Sequence, residues 1–356
     1  MEQRLQRLRE QMTTLGFDAM FVSNPVSRLY LSGFTGSSGW LLITSDSQFL
    51  ISDFRYVGQA MEESASFTFI QHEGQPFRDM KDILQKTTVK AIAFEQDHLT
   101  YQHFVRLSDA LEGYELRPKS GLIEKLREVK DESEIALIRK AAAIADHAFL
   151  SILEEIGPGV SESHIDLRLE ILMREQGATA SSFDTIVASG PRSALPHGRA
   201  SQRIIQKGDL VTLDFGALYQ GYCSDMTRTI MIGEPSSIQK EIYHIVLEAE
   251  QKAVAAIRPG ITGIEADAVA RDWIKKHGYG EQFGHSTGHG IGLEVHEGPN
   301  LSIRGETKLE PGMIVTVEPG IYLPDVGGVR IEDDVLVTKE GYEVLTPSSK
   351  ELIIIH

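Results

Sequence analysis

Cysteine is almost missing from this 356-residue chain: Cys223 stands alone, so no internal disulfide can form. That excludes a disulfide-stapled scaffold and suits a reducing compartment, with the cytoplasm as the expected location. Long hydrophobic runs are missing too. No apolar stretch approaches the roughly 18–20 residues a membrane-spanning helix needs, so no membrane partner is expected. The opening MEQRLQRLREQMTTLG spaces Leu5, Leu8, Met12 and Leu15 at helical intervals among charges, without the apolar centre of a signal peptide. Positive charge is in short supply: 35 Lys and Arg against 51 Asp and Glu give a formal net charge of −16. A nucleic-acid partner would need a basic surface and is excluded. What is present is ordinary globular material, 41% hydrophobic and long enough for two domains with full cores.

Up to about residue 120, β-rich runs at 19–23, 40–44, 48–52 and 90–94 alternate with amphipathic stretches at 2–15, 54–64, 76–87 and 100–111. The alternation predicts a three-layer α/β domain. The breaker-rich Arg117-Pro118-Lys119-Ser120-Gly121 marks the expected boundary, with domains at 1–121 and 122–356. Residues 122–156 read as a long helical region with Asp131 and Glu134 spaced as an internal cap.

The second domain contains a duplication. IGPGVSESHIDLRLEILMREQGA (156–178) aligns with IRPGITGIEADAVARDWIKKHGY (257–279), each a Pro-Gly turn leading through Ser or Thr into an amphipathic helix. Capping-box spacing occurs at Thr262/Glu265 and at Ser236/Gln239, before a helix at 238–257. The strands that follow also align, GDLVTLDFG (208–216) with GMIVTVEPG (312–320), setting Asp214 against Glu318. The next strand of each half carries Asp225 and Glu332, so a pseudo-twofold would bring four carboxylates to one seam.

Four acids inside apolar strands, joined by His289 in STGHGIG, form the ligand set of a two-metal hydrolytic site. A tight turn centred at Tyr219-Gln220 would place Asp214 and Asp225 directly opposite on antiparallel strands, with Cβ atoms about 5 Å apart. Bare, such like charges would repel and raise each other's pKa. Glu318 and Glu332 flank the longer turn IYLPDVGGV. A carboxylate-rich set favours Mn²⁺, with Co²⁺, Zn²⁺ or Fe²⁺ as alternatives. Two cations about 3.5–4 Å apart can hold a bridging water, lower its pKa and polarise a carbonyl, as amide or ester hydrolysis requires. The H-x-x-x-H of HSTGHG lacks a zincin's glutamate, and Gly284, Gly288, Gly290 and Gly292 argue for an extended segment with close backbone approach. His197 in LPHG and His296 in EVHEG occupy corresponding places in the two halves and are candidates to flank a pocket.

VTLDFG, YCSDMTRT, HSTGHGIGLEVHEGP, VEPGIY and GVRIEDD together resemble the pita-bread metallopeptidases, in particular the Xaa-Pro dipeptidase (prolidase) and aminopeptidase P branch. SRLYLSGFTGSSG (27–39) and SDFRY (52–56) resemble the creatinase-type N-terminal domain. The resemblance implies an α/β N-terminal creatinase-type domain and an α+β pita-bread catalytic domain with an internal pseudo-twofold duplication. It implies Asp214, Asp225, His289, Glu318 and Glu332 as ligands of two ions, with Glu318 also shuttling the proton of a metal-bridging hydroxide. It further implies that His197 and His296 stabilise the oxyanion, a contribution of a few kcal/mol per donor. His285 and Arg330 would bind substrate.

The implied activity is hydrolysis of the Xaa-Pro bond at the free N-terminus of dipeptides or short proline-containing peptides, by an exopeptidase acting as a homodimer. Alternatives are a methionine-type or broad aminopeptidase, a metal-free creatinase-like hydrolase, and a non-catalytic peptide-binding module. Tyr30, Trp40 and Arg55 read as packing or a local salt bridge more than as substrate contacts, and Cys223 as a core residue with no paired base.

Overall fold

In the computed structural model, which describes residues 1–356, helix α1 (Glu2–Leu15) buries Leu5, Leu8 and Met12 on one face. Leu15, expected on the same stripe, is exposed. The chain continues through β1 (Ala19–Val22), α2 (Pro25–Ser32), β2 (Trp40–Thr44), β3 (Gln48–Ser52), α3 (Val57–Glu63), β4 (Thr68–Gln71), α4 (Pro76–Leu84), β5 (Ala91–Glu95), α5 (Tyr101–Ala110), β6 (Glu115–Lys119) and α6 (Leu122–Glu128). The strands form one mixed sheet in the order β4-β3-β2-β1-β5-β6. Central β1 is buried throughout, and its Ala19 and Phe21 join Met80 and Leu84 of α4 and Leu107 of α5 in one core.

Helix α2 and strands β4 and β6 were not foreseen from the sequence. The Asn24 side chain accepts from Val26 N at 2.8 Å and Pro25 fills the first turn, so α2 has a cap and a start that need no long apolar stripe. The RPKSG segment does not separate domains, because its first residues belong to β6, an edge strand that tolerates Pro118. The chain divides into Met1–Arg127 and Glu128–His356. Tyr30 lies in the first unit's core with its hydroxyl donating to the Leu126 carbonyl. Trp40 packs on Phe77 and His72, and Arg55 pairs with Asp53 on the surface.

The second unit starts with α7 (Glu132–Ile152), opened by the Asp131/Glu134 capping box, and α8 (Glu162–Glu175). Strands β7 (Ala180–Ser181), β8 (Ile186–Ser189), β9 (Leu210–Phe215), β10 (Ala217–Tyr219), β11 (Tyr222–Cys223) and β12 (Met226–Ile232) complete the first half. The second half repeats the plan with α9 (Ser237–Ala256), α10 (Gly263–Lys276), β13 (Gly288–Gly290), β14 (Glu297–Leu301), β15 (Ile314–Val317), β16 (Gly320–Leu323), β17 (Gly327–Arg330), β18 (Asp333–Val337) and β19 (Tyr342–Val344). The terminal β20 (Ile354–Ile355) returns to pair with β12.

Each half packs two helices on its sheet. Ala141, Phe149 and Leu169 meet Val187, Leu213 and Ile230 in one core, and Val246, Ala253 and Ala270 meet Val315 and Val335 in the other. Full burial of each large aliphatic side chain is worth about 1.5–3 kcal/mol. The helix N-caps Ser161 and Thr262 even form matching β-bridges, to Ile204 and to Lys308. No helix is long and apolar enough to cross a membrane.

Candidate metal centre

The hairpin that carries the two aspartates differs from the expected one by its turn. Gln220 and Gly221 both take positive φ, 47° and 86°, so the two-residue turn sits one position later than Tyr219-Gln220. Positive φ at both central residues is the primed turn that matches strand twist, and glycine best fills its second place. Asp214 therefore pairs with Thr227, and Asp225 is two positions away on the diagonal, in the break between β11 and β12. The glutamates have the direct opposition instead. Val317 pairs with Asp333 and Gly320 with Arg330, which leaves Glu318 and Glu332 facing each other in the interruption.

Backbone hydrogen bonds hold these interruptions in place. Asp225 N donates to Asp334 Oδ2 at 2.9 Å, Glu332 N to the Thr227 carbonyl at 3.1 Å, and Glu318 N to the Thr287 carbonyl at 2.7 Å. His289 lies mid-strand in β13 and donates its N–H to Thr316 Oγ1 at 3.1 Å. The glycines on either side are required by close approach. A Cβ at Gly288 would lie 1.9 Å from the Thr316 carbonyl oxygen, and one at Gly290 2.0 Å from that of Gly298.

Asp225, His289 and Glu332 each present a ligand atom within 4.8 Å of the other two. His289 Nε2 also lies 3.4 Å from Glu318 Oε1 and 3.8 Å from Asp225 Oδ2. Asp214 lies outside that trio but lines the same cavity, of about 350 Å³, with the other four and with His197, His285, His296 and Arg330. Its Oδ2 accepts from Arg330 Nη2 at 2.5 Å.

Burial pushes the Asp225 and Glu332 carboxyls well above their ordinary range, and neighbouring carboxylates add to it. Burial also carries Glu318 up to about 7, against the pull of Arg330. Oδ1 of Asp214 and Oδ1 of Asp225 are buried with no hydrogen-bond partner. The Nδ1–H of His289 donates to the Gly290 carbonyl at 3.0 Å, which leaves the Nε2 lone pair facing the acids. Orphaned anionic oxygens and an oriented imidazole suit divalent cations, so the residues present fit the expected metals.

On the wall, Arg330 Nη1 donates to Tyr322 Oη at 2.8 Å, and the Tyr322 hydroxyl donates to His285 Nε2 at 2.8 Å. The Nδ1–H of His285 goes to the Ser286 carbonyl, leaving neither nitrogen for a substrate. Burial holds His285 down to about 4 and raises Tyr322 to about 12. His197 and His296 are exposed at the cavity, the latter with its ring centroid 4.4 Å from that of His289.

Residues 136–339 match the model for metallopeptidase family M24, and residues 4–129 that for the Creatinase/Prolidase N-terminal domain. The chain belongs to metallopeptidase family M24. Its two units have the creatinase-type and pita-bread folds of that family, and membership implies divalent metal ions. It is 54% identical to a solved Xaa-Pro dipeptidase from Bacillus anthracis, over 99% of each chain with a TM-score of 0.97. A prolidase from Pyrococcus horikoshii is 43% identical, covering 99% of this chain and 100% of its own, with a TM-score of 0.93. An X-Pro aminopeptidase from Thermotoga maritima is 42% identical over 97% of this chain and 100% of its own, with a TM-score of 0.91.

Four further residues of this M24 site escaped the sequence reading. Thr227 Oγ1 donates to Glu332 Oε2, Thr316 Oγ1 donates to Glu318 Oε1 at 3.3 Å, Tyr322 joins Arg330 to His285, and Asp334 holds Asp225 N. Thr227 and Thr316 had a usable signal. Each lies two residues from a candidate ligand, Asp225 or Glu318, where strand periodicity returns a side chain to the same face.

Proposed function

We propose that this chain is a metallo-exopeptidase that hydrolyses the Xaa-Pro bond at the free N-terminus of dipeptides or short peptides. The observation that carries the reading is the meeting of Asp225, His289 and Glu332 within 4.8 Å in a cavity that Asp214 and Glu318 also line. The relatives named Xaa-Pro dipeptidase and X-Pro aminopeptidase support the choice of bond. So does the wall: Phe183, Ile186, Pro196 and Val295 give apolar surface for a pyrrolidine ring. The amide before proline has no N–H, so recognition must come from shape.

Asp214, Asp225, His289, Glu318 and Glu332 would hold the cations, with Mn²⁺ favoured by the carboxylate-rich set. When bound, the cations supply Lewis acidity to a water and to the scissile carbonyl. Glu318, with its carboxyl near 7 and 16% of its side chain open, is suited to take a proton from the attacking water. It can then return that proton to the leaving proline nitrogen. His197 and His296 line the cavity and would donate to the carbonyl oxygen as charge develops there. A homodimer and a cytoplasmic location belong to the same reading and rest on the family resemblance and on the single cysteine.

The test is a metal series with a panel of Xaa-Pro peptides. Turnover should appear with Mn²⁺, vanish on chelation and be lost in Asp225→Asn. Equal activity with and without chelator would defeat the reading.

A further inference from the structure

The cavity contains a single guanidinium or ammonium group, and that group is already occupied. Arg330 is the only lysine or arginine along the wall. Its Nε donates to Thr227 Oγ1, its Nη1 to both Tyr322 Oη and the Pro196 carbonyl, and its Nη2 to Asp214 Oδ2. Four of the five N–H donors of a guanidinium are thereby used. Its charge is matched by Asp214, and the side chain is only 4% exposed. Asp214 has a second oxygen, the unpartnered Oδ1, left for a cation, so ligation at Oδ1 need not release Arg330.

The rest of the polar wall left for a substrate is imidazole, amide and hydroxyl, from His197, His296, Asn300 and Ser286. Such groups suit the oxygen of a peptide carbonyl. None of them is a guanidinium or ammonium that could pair with the C-terminal carboxylate a dipeptide would place one residue beyond the scissile bond. Enclosing a carboxylate without a cationic side chain to pair with it is unfavourable.

We infer that this site prefers peptides that continue beyond proline over Xaa-Pro dipeptides, because the cavity offers no uncommitted lysine or arginine for a carboxylate on the proline. The inference rests on the Xaa-Pro reading above and narrows it. What matters is the charge on the proline carbonyl and not the length of the chain, so a dipeptide amide should behave like a tripeptide.

Ala-Pro, Ala-Pro-NH₂ and Ala-Pro-Ala are compared with the Mn²⁺-loaded protein. Both neutral-ended substrates should exceed Ala-Pro in kcat/KM by about tenfold or more. Equal or faster turnover of Ala-Pro overturns the inference while leaving the Xaa-Pro reading intact. Loss of all three, with Ala-Ala-Ala still cleaved, strikes the Xaa-Pro reading instead. Calorimetry with the product halves decides the charge argument without turnover. L-Prolinamide should bind about tenfold tighter than L-proline, and tighter binding of L-proline overturns it.

Discussion

Thr227 Oγ1 donates a 2.6 Å hydrogen bond to Glu332 Oε2, joining the two halves of the duplication at a candidate metal ligand. The same oxygen accepts from Arg330 Nε at 3.1 Å. Thr227→Val keeps the shape and removes both bonds, leaving a buried carboxylate oxygen and a guanidinium N–H unpaired. The expected cost is about 2 kcal/mol or more. Glu332 also loses its orientation, so Mn²⁺ affinity should fall roughly 10- to 100-fold. Thermal melting of the metal-free protein and calorimetric Mn²⁺ titration check both. Unchanged affinity would show that Thr227 does not position Glu332.

The raised carboxyls define a pH dependence with a clear sign. Glu318 moves from an ordinary 4.5 to about 7 by burial, and Asp225 and Glu332 move up as well. A group that binds its proton more tightly when folded stabilises the fold below its unfolded pKa and loses that contribution as pH rises through the folded value. The metal-free protein should therefore lose stability between about pH 4.5 and 7. Divalent cations offset the carboxylates and should flatten the slope. Melting temperatures from pH 5 to 8, in EDTA and in Mn²⁺, provide the check. A flat profile in EDTA would contradict the assignment.

The site was legible where residue type alone carried the information. Asp214, Asp225, Glu318 and Glu332 stand out because an acid in an apolar strand needs a reason, and the repeat placed them together. Capping explains the helix starts at Ser161, Ser236 and Thr262, since the cap is written within four residues. The aspartate register was not legible. It turns on Gln220, a non-glycine residue at φ 47°, which sequence reasoning does not anticipate. Tyr322 was missed for another reason. Its partners Arg330 and His285 lie 8 and 37 residues away, and only the folded hairpin brings them to one hydroxyl.

Two glycines in one short segment should respond very differently to alanine. At Gly288 a Cβ would sit 1.9 Å from the Thr316 carbonyl oxygen, which is backbone and cannot step aside. Gly288→Ala must push β13 from β15 and take His289 with it. A loss on the order of 3 kcal/mol or more is expected, together with weakened Mn²⁺ binding. At Gly284 nothing lies within 4 Å of the added carbon, so Gly284→Ala should stay within about 0.5 kcal/mol of the parent. Melting curves of the pair decide it. Equal responses would mean that the close approach at Gly288 is not what holds His289.

Arg228 extends the argument from the ligands to what lies behind them. It is 1% exposed, its Nη2 meets Asp333 Oδ1 at 2.8 Å, and its Nη1 donates to the Glu332 carbonyl. Further bonds reach the carbonyls of Thr346 and Ser348, tying the C-terminal segment to the interruption that carries Glu332. Asp333 is shared with Lys350, which also pairs with Glu250. Arg228→Met retains bulk but leaves Asp333 with one cationic partner and three carbonyls without a donor. Breaking a buried pair from one side costs about 3–5 kcal/mol, because the remaining charge cannot return to water. The exposed pair Arg139–Glu343, with side chains 42% and 44% accessible, is the control. Arg139→Ala should cost under about 1 kcal/mol and respond to salt. If the two variants melt alike, the network behind Glu332 is not what stabilises this half of the fold.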